Sequence, residues 1–254
     1  GAGLGPYAAA RTQDLGTGIR TAIGIVVAEE LGLQPQDITV KIGDTAPGLP
    51  SGGSGGSTTT PSVTPVVKTA AMAAKQKLFE HIAPLLETTP EEMRAADGQV
   101  YVASDRTKTM SWKQVTGHLG METISESGVW DDTLSESGAA GTQFAEVEVD
   151  TETGIVTVVK VVAVQDCGLV INRLGCESQL NGGVIMGLSY ALLEERIMDS
   201  QTGKMINPNL EDYKVAGAME IPEIKSIIFD TDRKVTGIGE PATIPTAGAI
   251  ANAV

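Results

Sequence analysis

The chain is short of aromatic residues, cysteine, histidine and positive charge, and each shortage closes off a class of function. Phe, Trp and Tyr supply only 4% of its 254 residues, so aliphatic side chains must build the interior. Hydrophobic residues still make up 41%, enough for a sizeable core in one large or two modest domains, with two lobes expected. Lys and Arg number 18 against 32 Asp and Glu, a formal charge of -14, and no basic cluster offsets it locally. Such a surface repels phosphate backbones and excludes nucleic acid as a partner. No apolar run approaches the roughly 18 residues of a membrane span, and no signal-peptide pattern opens the chain. Cys167 and Cys176 have eight residues between them and form no CxxC, so neither a disulfide framework nor an iron-sulfur or zinc site is encoded, which fits a reducing cytoplasm. His81 and His118 lie far apart in sequence, a spacing that favours surface or core-edge roles over a metal site.

What is present is a series of helices, strands and glycine-rich turns. Residues 19 to 31 carry a helical stripe of Ile19, Ile23, Val26, Val27 and Leu31, ended by Gly32. Ile38, Val40 and Ile42 alternate as a strand, and "VVKTAAMAAKQKLFEHIAPLL" predicts a helix from Val66 to Leu86. Short signals follow: a capped helical turn at "TPEEM", strands at "GQVYVA" and "KTMSW", and a brief helix at "WKQVTGHL". Residues 120 to 141 are polar and read as a loop or boundary. From Thr142, two β-branched runs around "DTETG" predict a hairpin. "CESQLNGGVIMGLSYALLEE" then predicts a helix with Leu180, Val184, Leu188 and Leu192 on one face. Gly182, Gly183 and Gly187 interrupt it at about 1 kcal/mol each relative to Ala, so something must press close against it. "EIKSIIFDTD" is a further strand, and "GIGEPATIPTAGAIANAV" turns through prolines into a last helix. The expected architecture is α+β: two α/β lobes of mixed sheets with packed helices, 1–141 and 142–254. The chain lacks an initiator Met and stops inside a helical pattern without a C-cap, so a piece of a longer protein is expected.

Three stretches offer backbone amides or an amide side chain to a ligand. "QDLGTGIRT" places Gly16 and Gly18 at a helix N-terminus, where free N–H groups and the helix dipole favour an anion, with capping by Asp14 or Thr17 as the other reading. "PSGGSGGSTTTP", Pro50 to Pro61, has the composition of a flexible linker, yet its Gly55, Gly56, Ser57, Thr58 and Thr59 supply a nest and hydroxyl donors at the start of the next helix. Gln179, near the start of the glycine-bearing helix, could fix an amide-bearing heterocycle or sit solvated. One acid stands out. Glu240, between Gly239 and Pro241, sits on a tight turn, where a poorly hydrated carboxylate serves as a general base, the alternative being a helix-start acid. "GAGLG" at the N-terminus follows no strand, and no GxSxG elbow, Walker loop or Cys/His pair occurs.

In their order along the chain, "QDLGTG", "GGSGGSTTTP", "VQDCGLVINRLGCESQLNGGVIMGLSYALLEE", "INPNLEDYKVAGAMEIPEI" and "GIGEPATIPTAGAIANAV" resemble the C-terminal half of the molybdenum-binding subunit of the xanthine dehydrogenase/aldehyde oxidase family of molybdenum hydroxylases. The resemblance runs from about Arg11 to Val254, and its most specific blocks are Gln165 to Leu193 and "GEP". It implies that Leu15, Gly16 and Thr17 lie at the molybdopterin and near the metal, where the family commonly carries Gln in place of Thr17. It further implies that Gly55, Gly56, Ser57, Thr58 and Thr59 hold the pterin phosphate, that Gln179 hydrogen-bonds the pterin, and that Glu240 is the base beside molybdenum.

The implied activity is oxidative hydroxylation of an aldehyde or a xanthine-like aromatic N-heterocycle, with water as oxygen source. Its implied cofactor is molybdenum-molybdopterin, the cytosine dinucleotide being one form of it. Electrons would leave through [2Fe-2S] clusters and FAD on partner subunits or further domains, because two lone cysteines cannot ligate a cluster. The N-terminal half of the molybdenum subunit is another implied partner, without which the site in this piece is incomplete. The GTG departure leans toward the bacterial aldehyde-oxidising branches. Two rival readings stay open: a non-catalytic assembly module that keeps the fold, and a two-lobed binder of a phosphorylated metabolite. Glu240→Gln in the assembled enzyme separates the first from catalysis, and phosphate without metal would mark the second.

Overall fold

A computed structural model describes residues 5–44, 52–231 and 233–254. Part of "GAGLG" and the residues Pro50 and Ser51 of the glycine-serine run lie outside the described residues. The chain forms two compact units, 1–137 and 138–254. Both combine helices with small sheets, an α+β fold that holds parallel and antiparallel strand pairs.

In the first unit, β1 (Tyr7–Ala9) pairs in parallel with β2 (Thr39–Lys41), and α1 (Ile19–Leu31) lies between them in sequence. The stripe Ile19, Ile23, Val26, Val27 and Leu31 is buried throughout, as the helical periodicity predicts. Gly32 ends the helix in a left-handed conformation with φ 64° and donates its N–H to the last turn. A Cβ at this position would lie 2.4 Å from the carbonyl carbon of Ala95, so two independent constraints demand glycine here. Helix α2 (Thr59–Ile82) faces α1 across Glu30, which takes Lys75 at 2.6 Å and Lys68 at 3.3 Å.

The observed start of α2 precedes the expected one at Val66 by seven residues. Pro61 falls in the first turn, where no N–H is required, and the helix runs through Pro65 despite the missing bond there. The regular helix ends at Ile82, and Ala83–Leu86 continues as a tighter 3-10 turn. An antiparallel sheet of β3 (Met93–Ala96), β4 (Gln99–Val102) and β5 (Thr109–Ser111) follows, with α3 (Trp112–Leu119) capped by Ser111. Its core joins Leu78, Phe79 and Ile82 of α2 to Met93, Val100, Val102 and Val115. The polar stretch after α3 is strapped to α2: Thr69 Oγ1 donates to Val129 O at 2.7 Å and accepts the Val129 N–H at 3.0 Å, and Lys77 pairs with Glu126.

The second unit is built on three strands, β6 (Ala140–Val149), β7 (Val156–Asp166) and β8 (Glu223–Phe229). Strands β6 and β7 form the predicted hairpin, starting at Ala140 rather than Thr142, while β8 joins β7 in parallel. Such a parallel return needs a crossover, and α4 (Arg173–Leu192) supplies its helix. Leu180, Val184 and Leu188 pack with Val158, Val161, Ala163 and Ile228 of the sheet.

The pressure on the α4 glycines has an identified source. A Cβ on Gly183 would lie 2.6 Å from Ala242 Cβ, and one on Gly187 would lie 2.4 Å from Thr246 Cβ, whereas Gly182 faces open space. Thr246 opens α5 (Thr246–Ala253), and Pro241–Thr243 forms a 3-10 turn just before it. The chain directly after Glu240 is thus seated in a notch that two missing side chains leave on α4.

Candidate cofactor site

The first candidate loop is shaped by Asp14. Its carboxylate accepts the backbone N–H of Gly16 at 3.0 Å, of Gly18 at 3.1 Å and of Arg20 at 3.2 Å. Burial pushes this carboxyl up, but the Arg20, Gly18 and Gly16 amides and the Arg20 guanidinium more than offset it and hold it below the usual carboxylate range. The capping alternative is therefore what the fold adopts at the α1 N-terminus. A carboxylate from the chain already takes amides that an external anion would need, and the Gly16 N–H in particular is committed. Leu15, Gly16 and Thr17 remain exposed, with open space where a Gly16 Cβ would project, so this loop can make shape contacts from its outer side.

The second candidate loop is built differently. Gly56 and Ser57 are both left-handed, with φ 62° and 58°, and Ser57 is one of three described non-glycine residues with positive φ. Ser57 in the left-handed region followed by Thr58 in the right-handed helical region is the alternation whose successive N–H groups form a concave turn able to face an anion. Thr58 precedes α2 without capping it: its hydroxyl donates back to Gly55 O at 2.9 Å, and no side-chain cap bond is made. Open space surrounds the missing Cβ atoms of Gly55 and Gly56. Thr59 begins the helix. Room, glycine, hydroxyls and an uncapped helix start are the donor set that a phosphate group fits.

These two loops are held together. Gln13 donates Nε2–H to Gly52 O at 3.2 Å, while Ser54 Oγ lies 3.0 Å from Gln13 Oε1 and 3.3 Å from Gln13 O. The first unit therefore brings the 15–17 and 55–59 residues into one neighbourhood across some forty residues of sequence. Gln13 and Ser54, which sequence reasoning did not single out, are the fasteners.

The second unit brings Gln179 and Glu240 together. Gln179 Nε2 donates to Gly239 O at 3.0 Å, next to the candidate base in the chain. The segment before Glu240 is fixed to the end of β7: Asp166 takes the Gly168 N–H at 2.8 Å and Arg233 at 2.7 Å, and Leu169 donates to Lys234 O at 3.3 Å. After Glu240, Thr243 donates to Glu240 O at 3.0 Å, and Gln143 of β6 donates to Ala242 O at 2.7 Å. The side chain of Glu240 itself is exposed. The expected withdrawal from water is therefore not provided by burial within the second unit.

Cys167 and Cys176 are both free, although their sulfurs approach to 3.9 Å. The hydrogen bond that Cys167 donates to Cys176, together with burial, holds the Cys167 thiol in its protonated form. Among the described residues no group of three His, Cys, Asp or Glu side chains could ligate a metal, and no helix is long and apolar enough to cross a membrane.

The first unit presents a glycine-rich turn at the start of α2, the second a glutamine bonded beside the Glu240 turn, and the sequence places the chain in a family of cofactor-binding domains. Residues 8–222 match the family described as molybdopterin cofactor-binding domain, and the chain belongs to it. Among curated proteins it is 34% identical over 250 residues to the aldehyde oxidoreductase molybdenum-binding subunit PaoC of Escherichia coli K12, covering 95% of this chain and 33% of that one. It is 30% identical over 256 residues to the xanthine dehydrogenase molybdenum-binding subunit of Escherichia coli O157:H7, covering 95% and 34%. Among solved structures, quinoline 2-oxidoreductase from Pseudomonas putida 86 superposes with a TM-score of 0.84 at 26% identity, covering 96% of this chain and 33% of that one. The chain is therefore a molybdopterin-binding domain homologous to subunits of molybdenum-dependent oxidoreductases, and it spans about a third of the length of the curated relatives it matches.

Proposed function

We propose that the chain is the part of a molybdenum hydroxylase subunit that holds the pterin and supplies the base for oxidative hydroxylation of an aldehyde or an aromatic N-heterocycle. Water would be the oxygen source, and electrons would pass to iron-sulfur and FAD centres on partner subunits or domains. The observation that carries this reading is the 55–59 turn: two left-handed residues and an uncapped helix start, fastened to the 15–17 loop, within a chain of the molybdopterin-binding family.

When bound, the molybdenum cofactor supplies Lewis acidity and a two-electron redox couple. The residues of this chain bind, orient and move a proton. Gly55, Gly56, Ser57, Thr58 and Thr59 would grip the phosphate of the pterin, in its cytosine dinucleotide form or without it, through backbone N–H groups and hydroxyls at the positive end of α2. Leu15, Gly16 and Thr17 would pack against the pterin; with the Gly16 amide committed to Asp14, this contact rests on shape more than on donated hydrogen bonds. Gln179 has one N–H engaged at Gly239 O, which leaves its carbonyl oxygen and second N–H for the pterin edge. Glu240 would accept, at its carboxylate, the proton released as the water-derived oxygen attacks substrate carbon. Cofactor and substrate closing over this exposed side chain would strip its water and strengthen it as a base.

The test uses the complete protein purified with its partners. Molybdenum by elemental analysis and pterin by fluorescence are expected in stoichiometric amount, and their absence overturns the reading. Glu240→Gln should abolish most turnover, about 100-fold or more, with molybdenum retained. Unchanged turnover would remove Glu240 as the base and leave the chain an assembly module.

A further inference from the structure

We infer that Gln143, on β6, is a positioning residue for Glu240, acting through the backbone of the turn that carries it. This inference rests on the proposed role of Glu240 and extends it to a residue far away in sequence. Gln143 Nε2 donates to Ala242 O at 2.7 Å, and its Oε1 accepts from Thr246 Oγ1 at 2.6 Å. Thr246 is fully buried and Ala242 is 1% exposed. Both ends of the Gln143 amide are thus engaged by the segment immediately following Glu240.

The location argues for a purpose beyond stability. Gln143 occupies the inward-facing set of β6 with Ala145 and Val147, opposite the buried Ala163 of β7. A half-buried amide amid apolar neighbours gains little over a well-packed apolar side chain, since its hydrogen bonds mainly repay the loss of water. What it adds is direction. The amide accepts one hydroxyl and donates to one carbonyl, and so fixes where the 3-10 turn Pro241–Thr243 sits along β6.

Gln179 performs the mirror operation from α4 by donating to Gly239 O, so two glutamine amides on different elements grip the backbone on either side of Glu240. Gly183 and Gly187 complete the seat by letting Ala242 and Thr246 approach α4. With its main chain held on three sides, the exposed Glu240 carboxylate keeps one origin from which to reach substrate. General-base catalysis depends on that, because a displacement of about 1 Å can cost 100-fold in rate.

The experiment compares Gln143→Met, Thr246→Val, Thr246→Ser and Glu240→Gln in the complete protein with its partners. In cofactor-free preparations, hydrogen exchange at the Thr243 and Ile244 amides, which bond to Glu240 O and Pro241 O, should quicken about tenfold or more in Gln143→Met and Thr246→Val. Thr246→Ser, which keeps the hydroxyl, should exchange as the parent does. In loaded enzyme, kcat should fall about 10- to 100-fold in the first two variants, with KM within about twofold, molybdenum content unchanged, and the acid limb of the kcat/KM profile displaced. Parent-like exchange and kcat in Gln143→Met overturn the inference, as does a kcat loss matched by lost molybdenum. If Gln143→Met does not fold, the Thr246 pair decides: equal behaviour of Val and Ser overturns the inference, and loss in Val with rescue in Ser supports it. Glu240→Gln separates the two layers. Full turnover there removes the base assignment, and with it the positioning role, even if exchange quickens. A dead Glu240→Gln beside a parent-like Gln143→Met removes the positioning role alone.

Discussion

The two units present their candidate residues by opposite means. In the first, backbone conformation does it: left-handed turns at Gly16, Gly18, Gly56 and Ser57 aim N–H groups, and Gln13, Gly52 and Ser54 fasten the loops to each other. In the second, packing does it: Gln179 and Glu240 are held because Ala242 and Thr246 fit against bare glycines on α4. A backbone cradle adapts to the ligand that fills it, whereas a packed seat is determined before any ligand arrives. The contrast repeats within the first unit. The α1 start is closed by the Asp14 carboxylate, whereas at the α2 start the N-cap residue Thr58 makes no side-chain cap bond and turns its hydroxyl back to Gly55 O, so two similar glycine-rich stretches open their helices differently.

The largest effect should come from breaking the packed seat. Gly183→Leu drives a side chain into Ala242 and should cost about 3 kcal/mol in urea unfolding of the second unit. Gly182→Ala, one position away and facing open space, should instead stabilise by about 0.5–1 kcal/mol through helix propensity. Two adjacent glycines on one helix with opposite signs would establish the seat, and equal signs would refute it.

Next in size is Asp14→Ala, which leaves three amides at the α1 start without their acceptor and should cost about 1–2 kcal/mol. This carboxyl lies lower in the folded state than in the unfolded chain, so its contribution is fully present above the unfolded value, near pH 4. It is lost as pH falls through the folded value. Acid titration of stability should therefore destabilise the parent more than Asp14→Asn below about pH 4. Parallel curves would show that Asp14 does not close that helix start.

The smallest effect is expected at Ser57, whose φ of 58° suits glycine better than serine. Ser57→Gly should stabilise by no more than about 0.5–1 kcal/mol, since relief of strain is partly offset by a more flexible unfolded chain. A loss of stability would mean that the Ser57 hydroxyl matters more to the turn than its backbone strain.

Much of the scaffold was legible because its signals are local. Helix α1 is written in five apolar positions and a terminal Gly32, and the β6–β7 hairpin in two β-branched runs around one turn. Strand β1 was not legible: Tyr7–Ala9 is a strand only because Thr39–Lys41, thirty-two residues on, pairs with it. The helical turn read at "TPEEM" is present as a 3-10 turn at Pro90–Glu92, but strand β3 directly after it, Met93–Ala96, was not legible, because its pairing with β4 decides the backbone there. For the site, the α4 glycines announced that something must approach, but what approaches lies at 242 and 246 and follows from tertiary packing. The Gln143 contact carried a readable trace, one polar residue in an inward register with Ala145 and Val147. That Asp14 would take three amides could not be read from composition, because it depends on the turn angle between Asp14 and Ile19.

Trp112 donates its indole N–H to Leu31 O at the end of α1, and the only other tryptophan, Trp130, lies exposed in the same unit. The second unit holds none. Indole emission therefore follows the melting of residues 1–137 by itself, while circular dichroism follows both halves, and the gap between the two curves measures how far the halves melt as separate bodies.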